Sequence, residues 1–393
     1  MPDRAKIDLN SSLIDAFASN SPSQGLTHTF YRYPARFSPQ FVRAVIQTFS
    51  RRGDCVLDPF MGSGTTLVEA LAHGRHAVGT DINPLALFLA RTKTSILSRQ
   101  DNHELETWLT QLPQKLEAAG NSGNHEHWAE DGYHKDLPWP IRRQIERVLD
   151  QVDKLSGPKL QRFARCALLH TGQWALDCTT IFPTAAEFRT QFYADLKDHV
   201  KHSQELNKTV SALAEKPEVV CLDVPASELN AKLWNKKIDK RPRLVVTSPP
   251  YPSVHVLYHR WQIQGRRETA GPYWIIGEQD GHTAAYYTMG SRSPTGLDNY
   301  FTNITAAYGN IYDLITSAAT VVQIVAFTDV QDQLPRYLAA MEEAGFVQSE
   351  IRVEETSKSG NLWRKVPLRK WYATLQGNTA SAQELLLIHR KVD

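Results

Sequence analysis

Along the chain, short apolar runs alternate with apolar residues at helical spacing, the pattern of strands feeding helices. Cys55-Val56-Leu57 reads as a buried strand. A glycine turn follows, and then Leu67-Val68-Glu69-Ala70-Leu71-Ala72 at helical spacing, with Thr65 and Thr66 at the expected N-cap. A helix through Phe41, Val45 and Ile46, with Pro39 in its first turn and Ser38 as its cap, delivers the chain to that strand. The second strand is His76–Asn83, followed by a helix from Pro84 to about Leu97. Further strands are expected at Glu218–Val224, Leu244–Thr247 and Val321–Phe327, the last preceding a helix from Gln331 to Ala344. Phe346–Val353 and Glu384–Arg390 read as a closing antiparallel pair. The fold class expected is α/β, with a doubly wound, mostly parallel sheet.

Between residues 98 and 216 this rhythm stops. Glu104–Ala119, Ile141–Leu155 and Leu160–Leu169 look helical and are separated by clusters such as Gly120-Asn121-Ser122-Gly123-Asn124. The expectation is an inserted, mainly helical lobe of roughly 110 residues, a size suited to one compact unit. The chain then divides into 1–97, an N-terminal arm with one half of the sheet; 98–216, the lobe; and 217–393, the other half. Residues 1–25, polar and rich in Ser and Asn, predict a loosely ordered arm. Residues 252–320 read as irregular and aromatic, with His255, Tyr258, His259, Trp261, Tyr273, Trp274, Tyr286 and Tyr287 either walling a pocket or forming core.

Composition narrows the class. A length of 393 residues allows an α/β domain and a sizeable second lobe, and no run of about 18 apolar residues predicts a membrane span. The N-terminus has no apolar signal core, so a cytoplasmic protein is expected. The four cysteines, Cys55, Cys166, Cys178 and Cys221, have no CxxC spacing, and the histidines His125, His127 and His134 show no ligand spacing, so no metal is expected. A net charge of +2 requires any nucleic acid to be met by local patches. Two qualify by composition: Lys232, Lys236, Lys237, Lys240, Arg241 and Arg243, and the aromatic-interleaved loop 358–372 with Lys358, Arg364, Lys365, Arg369 and Lys370. For the first run, a solvated surface is an equal reading.

The candidate chemistry centres on Asp58-Pro59-Phe60-Met61-Gly62-Ser63-Gly64-Thr65-Thr66. Gly62 and Gly64 allow a tight turn and close approach of a ligand to the backbone. No lysine follows Gly64, so the turn is not a triphosphate loop, and Thr65-Thr66 replaces the spacing of a dinucleotide fingerprint. Acids at three strand ends, Asp58, Asp81 and Asp223, suit a cofactor with a cationic centre, a ribose diol and an adenine amine; S-adenosylmethionine has all three. Ser248-Pro249-Pro250-Tyr251 comes directly after a buried strand, where the prolines hold the backbone extended. The Ser248 hydroxyl and the Pro249 carbonyl can accept from a planar amine, and Tyr251 can stack on a base.

Together with Gly79-Thr80-Asp81-Ile82-Asn83-Pro84 and Tyr33-Pro34-Ala35-Arg36-Phe37, these segments resemble the signature of the DNA amino-methyltransferases, whose targets are cytosine N4 or adenine N6. The resemblance implies a Rossmann-like methyltransferase sheet with S-adenosylmethionine as cofactor. It implies that Phe60, Gly62, Gly64 and Thr66 hold the methionine part, with Asp58 near its amine. Asp81 is implied at the ribose, Asp223 at the adenine amine and Phe37 on the cofactor's outer side, with Thr65 and Ile82 in the same cofactor-binding set. Serine at the head of Ser248-Pro249-Pro250-Tyr251, the implied catalytic residues, goes with cytosine N4 in that family as a tendency. Double-stranded DNA with a flipped base, and a cognate restriction endonuclease, are the implied partners. Adenine N6, an RNA base amine, or a cofactor-binding subunit without catalysis are the alternatives. The cofactor half precedes the catalytic half here, which leaves the place of the target-recognition region open among the lobe and the loops 252–320 and 356–382.

Overall fold

A computed structural model describes residues 6–19, 21, 24–33, 37–118, 126–235, 238–252, 260–264, 267–281, 289–290, 293–353, 356–365 and 383–392. The first half comprises β1 (Lys6–Leu9), α1 (Ser11–Ala18), α2 (Pro39–Phe49), β2 (Cys55–Asp58), α3 (Thr65–Ala72), β3 (His76–Asp81) and α4 (Pro84–Lys93). Five helices follow: α5 (Arg99–Ala118), α6 (Glu126–Glu130), α7 (Trp139–Val152), α8 (Gly157–Leu176) and α9 (Ala185–Ser211). The sheet resumes with β4 (Val219–Asp223), α10 (Ala231–Asn235) and β5 (Pro242–Thr247). Next come β6 (Trp261–Ile263), β7 (Arg267–Thr269), α11 (Gly271–Ile276), α12 (Pro294–Leu314), β8 (Thr320–Val325) and α13 (Val330–Glu343). The chain closes with β9 (Phe346–Gln348), β10 (Glu350–Val353), β11 (Thr356–Ser359), β12 (Leu362–Lys365) and β13 (Gln383–Lys391).

The central sheet runs β12-β13-β8-β5-β2-β3-β4, with β9 also on β13. Its pairs from β8 to β4 are parallel, and β13 is antiparallel to β8, β12 and β9. The fold is the expected doubly wound α/β sheet. Successive residues of a strand feed opposite cores: Val56, Val246 and Leu386 pack under α1, α2 and α3, whereas Leu57, Val245 and Leu387 pack under α12 and α13. Strands buried on both faces are apolar throughout, which is why short apolar runs marked them. From β2 the chain proceeds outward through β3 to β4 and then returns to β5 on the other side, so a crevice lies between the carboxyl ends of β2 and β5.

Several expectations are corrected. Residues 6–18 are not a loose arm: Ile7 and Leu9 are buried on β1, which pairs in parallel with β10, and Leu13 and Phe17 of α1 pack on α2. The N-cap of α3 is Gly64, so Thr65 and Thr66 lie inside the helix. α4 ends at Lys93 rather than near Leu97. The described parts of 252–320 contain the antiparallel pair β6–β7 and two helices, because Tyr300, Ile304, Tyr308 and Ile311 recur at helical spacing on α12, while His255, Tyr258, His259, Tyr286 and Tyr287 lie outside the described residues. Residues 346–353 split: β9 joins the central sheet on β13, and β10 joins a separate three-stranded sheet with β1 and β11.

The helices between β3 and β4 share one apolar core with α4 (Leu85, Phe88, Leu89), with Phe30 and Tyr31, and with Trp261, Tyr273 and Trp274 from the later chain. The Trp261 indole donates to the Tyr31 hydroxyl at 2.9 Å, and the Tyr273 hydroxyl donates to Asn83 Oδ1, the cap of α4, at 3.1 Å. Among the described residues, no helix is long and apolar enough to cross a membrane.

Candidate active site

The turn after β2 is fixed from both sides. Gly64 (φ 78°) donates to the Met61 carbonyl at 2.8 Å and starts α3, and a Cβ there would stand 2.9 Å from the Ala90 Cβ on α4. Met61 N–H donates to the Thr80 carbonyl at 3.1 Å, and Gly62 N–H donates to Asp81 Oδ2 at 2.9 Å. The turn therefore lies against the end of β3, with Asp81 already holding two backbone amides, Gly62 and Asn83.

The three strand-end acids are gathered by parallel register. Asp81 and Asp223 are direct partners across β3 and β4, with Asp223 exposed. Asp58 is buried at the end of β2, where it accepts from Thr247 Oγ1 at 2.7 Å and from Phe60 N–H at 3.2 Å. Burial pushes the Asp58 carboxyl up to about 6 against the lowering effect of Thr66, Thr247 and Phe60. Asp81 is likewise pushed up to about 6, by burial and by the neighbouring Asp223 against the amides of Asn83, Gly62 and Ile82. A buried and a half-buried carboxyl, both held above their ordinary range, suit a cationic ligand.

Across the crevice stands Ser248, immediately after β5. One pocket is lined by Tyr33, Phe37, Asp58, Phe60, Met61, Gly62, Ser63, Thr65 and Ser248, so residues from the glycine turn and from Ser248-Pro249-Pro250-Tyr251 meet. Phe37 is held there by Phe41, ring centres 6.0 Å apart. Thr66 sits on the first turn of α3 with its hydroxyl 3.5 Å from the Val246 carbonyl, and Ile82 follows Asp81 at the end of β3.

The hydroxyl of Ser248 lies 3.0 Å from the Ile324 carbonyl and 3.2 Å from Tyr251 Oη. Tyr251 Oη in turn donates to Glu384 Oε1 at 2.9 Å, and Glu384 is ion-paired with Arg364 at 2.7 Å. A carboxylate can only accept, so the phenol proton goes to Glu384. The Ser248 proton then has two acceptors away from the pocket, and the remaining Ser248 lone pairs are left to accept from a donor such as an amine. Tyr251 is half-buried with its hydroxyl tethered, and the Pro250 carbonyl already accepts from Tyr300 at 2.8 Å. Pro249 is buried beside them.

The basic candidates separate. Arg364, expected at DNA, is buried: its guanidinium meets Glu384, donates to the Phe17 carbonyl at 3.0 Å and lies 5.0 Å from the Phe17 ring centre. Antiparallel pairing of β12 with β13 puts Arg364 directly opposite Glu384, which accounts for the difference. Lys365 is exposed on β12 and Lys358 lies in β11, while Arg369, Lys370 and residues 34–36 fall outside the described residues. Of the run 232–243, Lys236 and Lys237 lie outside the described residues, Lys240 contacts the Gly53 carbonyl and His76, Arg241 donates to the Leu314 and Asp313 carbonyls, and Arg243 pairs with Asp54. Gly53, Asp54 and His76 stand at the amino ends of β2 and β3, opposite the pocket. Among the described residues, no three His, Cys, Asp or Glu side chains gather as a metal site.

Sequence reasoning gave no role to Met61, Ser63, Thr247 and Glu384, and placed Tyr33 only as part of a motif. Met61, Ser63 and Thr247 lie within or beside the motif segments. Glu384 had no local signal, since it reaches Tyr251 only through strand pairing 133 residues away.

Residues 12–90 match the family model described as DNA methylase. The Type II methyltransferase M.MvaI of Kocuria varians is 44% identical over 79 residues, covering 19% of this chain and 17% of that protein. M.MjaII of Methanocaldococcus jannaschii, also a Type II methyltransferase, is 35% identical over 100 residues, 25% of this chain and 18% of that one. The DNA adenine methyltransferase YhdJ of Escherichia coli is 31% identical over 80 residues, 20% and 27% of the two chains. The chain thus spans less than a fifth of the length of the first two relatives. The matched segment carries Phe37, the glycine turn and Asp81, so over residues 12–90 the chain is similar to the DNA methylase family.

Proposed function

We propose that this protein is a cytoplasmic, site-specific DNA methyltransferase that moves a methyl group from S-adenosylmethionine to the N4 amino group of cytosine. The supporting observation is the pocket in which the glycine turn and Ser248 face each other across the ends of β2 and β5. S-adenosylmethionine, when bound, supplies an electrophilic methyl on a sulfonium centre. Gly62, Gly64 and Thr66 cradle the methionine part, and Asp58 meets its ammonium. Asp81 accepts from the ribose diol and Asp223 from the adenine amine, while Phe37 covers the outer side.

Ser248 and the Pro249 carbonyl accept the two N–H bonds of the target amine, which turns the nitrogen lone pair toward the cofactor side of the pocket. Tyr251 borders the base. Ser248 is neutral and its proton is directed elsewhere, so the catalytic contribution is positioning, which can supply roughly 7–11 kcal/mol. A duplex base reaches Ser248 only after leaving the stack. The DNA methylase model over residues 12–90 and the relative named DNA adenine methyltransferase support DNA as the substrate, and a cognate endonuclease is the partner proposed with it.

The test incubates the chain with labelled S-adenosylmethionine and duplex DNA, digests the DNA to nucleosides and identifies the product by mass spectrometry. N4-methylcytosine, absent with Ser248→Ala, is the expected result. N6-methyladenine alone overturns the choice of base, and label in structured RNA alone overturns DNA. Cofactor binding without transfer to any nucleic acid overturns the enzyme reading.

A further inference from the structure

Between α4, α8 and the outer strand β4 lies a cavity of about 300 Å³. Arg91, from the last turn of α4, and Arg162, from α8, line it together with Thr94 and Ser95, and among the described residues no acidic side chain does. Arg162 donates to Ser95 Oγ at 3.2 Å, but its buried Nε has no hydrogen-bond partner among the described residues. Arg91 reaches the Cys221 carbonyl at 3.4 Å, at the edge of hydrogen-bond range. Other arginines of this chain meet carboxylates: Arg43 with Glu69, Arg165 with Asp153, Arg260 with Asp280 and Arg364 with Glu384.

Burial and then the charge of Arg91 push the Arg162 guanidinium below its ordinary value. The partly desolvated Arg162 beside the exposed Arg91 is a costly pairing of like charges without a counter-charge. The dipole of α4 accounts for Arg91 at its carboxyl end, but Arg162 comes from another helix. Ser95 gives its own proton to the Arg91 carbonyl at 2.6 Å, so the donors that remain for a ligand are the guanidinium N–H groups of Arg91 and Arg162. Such planar forks match the oxygens of a phosphate.

We propose that this cavity is a second ligand site, which binds a phosphate group between Arg91 and Arg162. It is distinct from the pocket of the glycine turn and Ser248, because no residue lines both, although Cys221 at its edge stands two residues before Asp223 on β4. The proposal therefore stands independently of the methyl-transfer reading.

The test titrates inorganic phosphate into the full chain in chloride buffer, followed by calorimetry and thermal unfolding. Saturable binding and a rising unfolding temperature are expected. Arg91→Met and Arg162→Met should each weaken binding about ten-fold. Without phosphate, Arg162→Met should unfold no earlier than the parent, since it removes a repelled charge. S-adenosylmethionine binding in the same samples reports that each variant is folded. Displacement of phosphate by a DNA duplex identifies the occupant as backbone phosphate, and no displacement identifies a free or small-molecule phosphate. Absence of saturable binding by the folded parent, or undiminished binding by the double variant, overturns the site.

Discussion

Tyr251 donates its phenol proton to Glu384 at 2.9 Å, and through that hydrogen bond a buried ion pair on the sheet's antiparallel edge orients Ser248. The two ends of this relay are separable by mutation. Glu384→Gln leaves Arg364 buried without its counter-charge, and breaking a buried pair this way costs about 3–5 kcal/mol. Tyr251→Phe keeps the Arg364–Glu384 pair and removes only the relay to Ser248. Tyr251→Phe is expected to keep its unfolding temperature close to the parent's while kcat falls roughly 10- to 100-fold, the scale of a slightly misplaced reacting group. Methyl-transfer kinetics beside thermal unfolding check both; an unchanged kcat in Tyr251→Phe would show that the Ile324 carbonyl alone directs the Ser248 proton.

Cofactor affinity should depend on pH near 6. Asp58 and Asp81 are both pushed up to about 6, chiefly by burial, so in the free protein they take up protons as pH falls through 6. A cationic methionine head favours the ionised Asp58, so affinity should be highest above about pH 7 and fall below 6, with proton release on binding near pH 6. The free protein follows the opposite sign. Carboxyls whose folded pKa is raised contribute stability that is complete below their unfolded value of about 4 and disappears as pH rises through about 6. Calorimetric titration and thermal unfolding from pH 5 to 8 test the pair of trends. Affinity that is flat across that range would mean that neither carboxyl meets the cation.

How far the sequence revealed this arrangement depends on how local each interaction is. The glycine turn, Asp58 and Asp81 belong to consecutive elements, and a buried parallel strand, a turn and a helix leave their signature within about 30 residues. Ser248 was visible because two prolines follow an apolar run in a chain that also carries the glycine turn; alone, they read as a strand-terminating turn. The rest depends on distant pairing. β1 is only four residues long and is held by β10, more than 340 positions later, and polar Ser and Asn around it masked the alternation of Ile7 and Leu9. Arg364 reads as a surface charge until its partner across the ladder proves to be Glu384. The period of Tyr300, Ile304, Tyr308 and Ile311 was present in the sequence, but the dense aromatic residues before it obscured where the helix begins.

Gly64→Ala should damage cofactor binding and stability together. The residue sits at φ 78°, where a side chain is strained by about 1–3 kcal/mol, and the added methyl would lie 2.9 Å from the Ala90 Cβ. To relieve the clash, α3 must move away from α4, and that carries Gly62 off the Asp81 carboxylate. A lower unfolding temperature and at least ten-fold weaker S-adenosylmethionine binding are expected. Gly132→Ala serves as a control for backbone strain alone, since it has φ 80° with nothing within 4 Å of its Cβ position; it should unfold earlier and keep cofactor affinity.

Removing the charges of Lys240 and Arg243 should leave DNA binding unaltered. Lys240 and Arg243 are engaged with Gly53, His76 and Asp54 at the amino ends of the strands, on the side of the sheet away from Ser248. A mutation that removes one cation from a DNA phosphate lowers the slope of log affinity against log salt by about 0.9. Lys240→Ala with Arg243→Ala is therefore expected to preserve both affinity and slope for a duplex between about 50 and 200 mM salt, whereas Lys365→Ala, exposed on β12, should lower the slope by about one such increment. A shallower slope in the first variant would move the DNA to the amino ends of the strands, a position from which no flipped base reaches the pocket lined by Asp58 and Ser248.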